Sequence, residues 1–100
     1  MEYLNKHTKD ITTLCKRHHV KTLHAFGSVL TNRFNTNSDV DLIVDIDEPN
    51  PLTYADNYFD LKFALEDLLK RPIDLLENKA IRNPYLRQSI DDTKQLIYAK

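Results

Sequence analysis

The chain has a single glycine, Gly27, and it stands where an apolar run stops. Proteins average about 7% glycine, so ordinary loop usage did not place the only one in 100 residues. A lone glycine marks a point where no side chain fits, because the backbone turns left-handed or because another group must come close. Residues 20–26 before it read as a strand, and residues 28–33 after it as a turn or short helix. Such a junction brings backbone N–H groups close to a ligand, and phosphate is its natural guest. Ser28 adds a hydroxyl that can donate and accept. A tight turn that merely needs glycine is the plainer alternative.

The rest of the chain alternates in period. Residues 2–18 are predicted helical, with Tyr3, Leu4, Ile11, Leu14 and Cys15 near one face. Asn32, Asn35, Asn37 and Ser38 mark a loop. Residues 39–45 form a strongly apolar strand with acids at its ends. Pro49 and Pro51 break the chain into a loop. Residues 52–69 carry a stripe of Tyr58, Leu61, Leu65, Leu68 and Leu69 at helical spacing. Residues 73–76 read as a short strand. Asn83-Pro84 opens a helix to about residue 92, and residues 95–98 close as a strand or a last helical turn. The order predicts a layered α/β (α+β) domain, with a mixed, partly parallel sheet of about four strands flanked by helices. The length implies one domain over residues 1–100.

Asp39 and Asp41 are two residues apart on a strand, so both point to one side. Their Cα atoms lie about 6.5–7 Å apart at strand rise, and both carboxylates reach a common point. Two unpartnered carboxylates that close repel, and a divalent cation relieves them. Mg²⁺ takes oxygen ligands, commonly one or two carboxylates plus substrate phosphates. Two such ions, about 3.5–4 Å apart, activate an attacking oxygen and stabilise a leaving pyrophosphate. Solvated acids at a sheet end are the other reading. Asp74 is a third acid, set among Ile73, Leu75 and Leu76. Burying it unpaired would be costly. If its strand lies beside 39–45, it completes the ion site or acts as general base on a hydroxyl. Otherwise it is an exposed acid on an edge strand.

Composition narrows the function classes. Net charge is −1 and the pI about 6.4, so the chain lacks the overall basic footprint of a general nucleic-acid binder. Hydrophobic residues at 41% and charged residues at 29% suit a folded soluble protein. Cys15 is alone, which excludes an intramolecular disulfide and points to the cytoplasm. No apolar run approaches the ~20 residues that cross a bilayer.

Gly27-Ser28, a ten-residue spacer and Asp39-Val40-Asp41, followed by Asp74 on a later strand, resemble the signature of the polymerase-β-like nucleotidyltransferase superfamily. The length resembles its minimal nucleotidyltransferase group. The resemblance implies that Gly27 and Ser28 contact the triphosphate of ATP, that Asp39 and Asp41 hold two Mg²⁺ ions, and that Asp74 is the third carboxylate. It further implies an antitoxin that moves AMP from ATP to a tyrosine of a small all-helical HEPN-type toxin. An occluding module with a residual nucleotide site is the rival reading, and a homo-oligomer is left open. Many members carry arginine and glycine four and five residues after the motif glycine. Here those positions are Thr31 and Asn32, with Arg33 next.

Other residues carry less. His7, His18, His19 and His24 have no zinc-type spacing with Cys15; His18-His19 suits a helix C-terminus. Asp45 shares the parity of Asp41 but lies at the far strand end. Tyr54, Tyr58, Phe59 and Phe63 span more than one helix face, part core and part lid or partner surface. Arg82 and Arg87 are read as solvated, and Cys15 as buried.

Overall fold

Val40, Leu42, Val44 and Ile46 alternate with Asp41, Ile43 and Asp45, and this period of two gives one strand a fully apolar face. In a computed structural model, which describes residues 2–31, 34–35 and 38–100, that strand is central. The elements run α1 (Glu2–Asn5), α2 (Thr8–Arg17), β1 (Val20–Phe26), a 3-10 turn (Gly27–Leu30), β2 (Val40–Ile46) and α3 (Pro51–Leu69). β3 (Ile73–Glu77), a second 3-10 turn (Asn78–Ala80), α4 (Pro84–Thr93) and β4 (Gln95–Ala99) follow. The sheet order is β3-β2-β1-β4. β1 is antiparallel to β2 and to β4, whereas β2 and β3 run parallel. The expected mixed sheet of four strands is present.

Parallel neighbours need a long crossover, and α3 supplies it. Asn50 starts this helix: its side-chain oxygen accepts from the backbone N–H of Leu52 at 2.9 Å and of Thr53 at 3.2 Å, with Pro51 in the first turn. Lys70 ends it in a left-handed conformation, φ 55°. Leu61, Leu65 and Leu69 then fall on one face and pack against Leu23, Ala25, Val40, Leu42 and Val44, together with Ile11 and Cys15 of α2. Burial pushes the Cys15 thiol up to about 12, so it stays a neutral packing group. On the other sheet face, Ile43 and Ile90 are buried outside that cluster. There α4 shares a cavity with Phe26.

Three expectations need correction. Residues 2–18 are two helices rather than one, since a turn at 6–7 separates α1 from α2. The strand expected at 39–45 runs Val40–Ile46, so Asp39 stands just before it. Arg87 is not merely solvated: it donates to the side-chain oxygen of Asn78 at 2.8 Å and to its backbone carbonyl, tying α4 to the preceding turn. The final segment, left open between strand and helix, is β4. Asn32, Arg33 and Asn37 lie outside the described residues. Among the described residues, no helix is long and apolar enough to cross a membrane.

Core packing outweighs capping here. Leu61 is fully buried, and Leu61→Ala is expected to cost about 2–5 kcal/mol. Asn50→Ala is expected to cost about 1 kcal/mol. Urea denaturation of the two variants checks the order; equal losses would contradict it.

Candidate active site

The parallel register decides which acids meet. Asp41 pairs with Asp74 across β2 and β3, and with Phe26 across β2 and β1. Paired residues point to the same face, so Phe26, Asp41 and Asp74 form one row. The row lies on the face that the main core leaves free. Asp39, exposed just before β2, lies two residues along the chain from Asp41, outside the row. Asp41 is only half-buried. Its carboxyl is held above the usual carboxylate range, first by burial, then by the negative charges of Asp74 and Asp39. Among the described residues, none of the three acids has a lysine or arginine in ion-pair contact. The sequence-derived acids therefore share one electrostatic neighbourhood.

Gly27 closes the neighbourhood from the β1 side. Its backbone has φ +76°, which disfavours any residue with a side chain. A Cβ there would also collide with Asp41 Oδ2 and lie 3.3 Å from Asp41 Cγ. The single glycine is thus explained twice, by its backbone and by the carboxylate against it. Ser28 follows in the 3-10 turn. Beside this turn is a cavity of about 660 Å³, lined by Phe26, Gly27, Ser28 and Thr31 and, across from them, by Ser89 and Thr93 of α4. None of the three acids lines it, so the cavity adjoins the acid row without containing it.

Whether a divalent cation fits rests on the donors. They are carboxylate oxygens whose charges act on one another, with no ion-pair partner among the described residues, which is the hard-oxygen chemistry of Mg²⁺. Among the described residues, no three acid, histidine or cysteine side chains are gathered into a cage for an ion. Mg²⁺ rarely uses such a cage, taking one or two carboxylates and completing its shell with phosphate oxygens and water. The residues present fit an ion that arrives with a nucleotide.

Thr31 is at the position where the family pattern has arginine. Its hydroxyl donates to the Ser28 carbonyl at 2.9 Å, closing the turn on itself. Asp45 is on the same face as Asp41 but at the other end of β2, away from the row. His18 Nδ1 lies 2.8 Å from the Leu14 carbonyl at the end of α2, a capping contact. Of the four aromatics on α3, Tyr54 is buried and Tyr58 is half-buried, its hydroxyl donating to the Leu75 carbonyl at 2.5 Å. Phe59 and Phe63 are exposed. The sequence reading missed Arg71 and the α4 residues that wall the cavity. Arg71 is followed by a proline and precedes a strand bearing an acid, but that pattern does not say where a long side chain reaches.

A mixed sheet with acids on one row, closed by a Gly-Ser turn, defines the nucleotidyltransferase class of fold. Residues 9–100 match the family described as polymerase beta, nucleotidyltransferase, and the chain belongs to it. It is 35% identical to the candidate protein adenylyltransferase MJ0126 of Methanocaldococcus jannaschii, over 97% of this chain and 91% of that protein. A solved candidate minimal nucleotidyltransferase superposes with TM-score 0.76 at 30% identity, covering 94% of this chain and 92% of that one. A chain of a complex between a tri-AMPylated Shewanella oneidensis HEPN toxin and an MNT antitoxin shares the fold. Its TM-score is 0.65 at 18% identity, with 100% of this chain and 74% of that one covered.

Two outcomes are expected from this geometry. Gly27→Ala should lose about 1–2 kcal/mol from the left-handed backbone alone, plus the collision with Asp41. Adding Asp41→Ala should recover only the collision part, as urea melts of the single and double variants will show. Separately, Asp41 binds its proton more tightly in the folded chain than in the unfolded one. The folded state is therefore penalised as pH rises through the carboxylate range, and relieved in acid. Without divalent ions, Asp41→Asn should melt higher than the parent at pH 7, and the gap should close as pH falls below the ordinary aspartate value. A gap that widens in acid would contradict the assignment.

Proposed function

We propose that the chain is a metal-dependent protein adenylyltransferase, acting as a cytoplasmic antitoxin that transfers AMP from ATP to a tyrosine hydroxyl of a HEPN-type toxin. One observation carries the reading: Asp41 and Asp74 are register partners, with Gly27 packed against the Asp41 carboxylate. The relatives support it, since those of M. jannaschii are named for protein adenylylation and the Shewanella toxin bears AMP. The reaction is assigned to one domain, residues 1–100.

Gly27 and Ser28 orient the triphosphate through backbone N–H groups and the Ser28 hydroxyl. Asp39 and Asp41 would hold Mg²⁺, with Asp74 as third carboxylate. When bound, the ions supply positive charge against the phosphates and the departing pyrophosphate. The acceptor oxygen forms a bond to the α-phosphorus, and the bond from that phosphorus to the bridging oxygen breaks. Pyrophosphate leaves with that electron pair, and Asp74 takes the hydroxyl proton. Holding the partners in line is the main contribution of the protein to such a transfer.

A second reading, neutralisation by occlusion, is favoured by Thr31, whose hydroxyl is turned back onto Ser28 rather than toward a phosphate. One experiment separates the two. Incubation with a neighbouring all-helical toxin and Mg–ATP, followed by intact-mass measurement, should show gains of whole AMP units on the toxin. Asp41→Asn should reduce the transfer at least about 100-fold, in line with loss of a group acting in the transition state. Full labelling by Asp41→Asn, or neutralisation with no mass gain, would favour occlusion.

A further inference from the structure

Asp39 has no salt-bridge partner among the described residues, and it sits where a loop becomes a strand. Something must hold its backbone against the repulsion of Asp41 and Asp74. Both of its neighbours in sequence are tied to the same dipeptide. On one side, Arg71 Nη1 donates to the Ser38 carbonyl at 2.9 Å and to the Asn35 carbonyl at 2.6 Å. On the other, the Val40 N–H donates to the Pro72 carbonyl at 3.1 Å. Two residues beyond Pro72 is Asp74, the acid that faces Asp41. The short stretch 71–74 therefore ties both flanks of Asp39 and carries the third carboxylate itself.

The guanidinium packs against two aromatic rings that touch each other, their centres 5.3 Å apart. Its carbon lies 4.2 Å from the Phe34 ring centre and 4.7 Å from that of Tyr3. Phe34 belongs to the loop before Asp39, and Tyr3 to α1. The Tyr3 hydroxyl donates in turn to the Leu69 carbonyl at the end of α3. A planar cation packed on an aromatic pair, with one nitrogen donating to two carbonyls, uses what arginine has and lysine lacks. Its placement also argues against direct phosphate contact, because Nη1 is committed to the loop.

We infer that Arg71 is a positioning residue: by bridging Ser38 and Asn35 while packed on the Tyr3–Phe34 pair, it fixes the backbone from which Asp39 enters β2 two residues before Asp41, and so places Asp39 to share a divalent cation with Asp41. The inference rests on the proposed role of Asp39 as a cation ligand. Residues that orient metal ligands from behind typically change affinity by about 10- to 100-fold when replaced. Arg71 acts through Asp39, so its effect vanishes when Asp39 can no longer bind the ion.

The test uses the whole chain with Mn²⁺ and a fixed concentration of a non-hydrolysable ATP analogue as probe, with protein-bound ion distinguished from nucleotide-bound and free ion by electron paramagnetic resonance. The parent, Arg71→Lys, Arg71→Gln, Asp39→Asn and the Arg71→Lys/Asp39→Asn double variant are compared. Arg71→Lys keeps the charge and should keep the circular dichroism spectrum, so it decides the matter if Arg71→Gln does not fold. Arg71→Lys should weaken Mn²⁺ binding about 10-fold or more, with no further weakening in the Asp39→Asn background. Parent-like Mn²⁺ affinity in Arg71→Lys, or an equal loss in both backgrounds, overturns the positioning role while leaving Asp39 as ligand. Unchanged affinity in Asp39→Asn overturns the ligand reading of Asp39 and this inference with it.

Discussion

The parallel pairing of β2 with β3 is the constraint on which the rest of the molecule depends. It requires a long return path, and α3 occupies that path with Leu61, Leu65 and Leu69 turned to the sheet. The same pairing sets Asp41 opposite Asp74. A slip of one residue would turn every side chain of a strand to the other face, and Asp74 would enter the leucine core. Core and acid row are thus two consequences of one register. The apolar face of β2 specifies the register, and the acids follow.

The acid row works against stability. Asp41 is partly desolvated and faces two like charges, so its ionised form is unfavourable in the folded state. A domain of this size has about 5–15 kcal/mol of total stability, and each core leucine contributes a few kcal/mol toward it. The core can therefore hold repelling carboxylates together without counter-ions. Gly27 relieves the crowding of the site, since without a Cβ it takes the left-handed turn and lets the Asp41 carboxylate lie against the backbone. Clustered negative charge beside a glycine turn favours a ligand that brings both cation and phosphate.

Much of this was legible residue by residue. The glycine count identified the one close-packed turn, and the i, i+2 spacing of Asp39 and Asp41 identified their common side. Periodicity located β1, β2, β3 and the long α3, because helical and strand patterns differ in their repeat, and left the last segment open between strand and helix. The break at 6–7 and the late start of β2 were not legible, since element ends depend on local contacts. Arg71 was hidden for a different reason. Its partners are Asn35 and Ser38, more than thirty positions away, and no local pattern reports so distant a contact.

The sequence by itself determined the chemistry: which acids exist, that Asp39 and Asp41 stand two residues apart at a strand start, and that a glycine-serine turn precedes them. These depend on short-range geometry, which spacing along the chain encodes. Only the tertiary structure decided that Asp74 stands beside Asp41, that Gly27 packs on its carboxylate, and that Arg71 reaches the loop before Asp39. Those contacts join segments distant along the chain, and they exist only once burial of the apolar faces of β1, β2 and β3 has chosen the strand order and register.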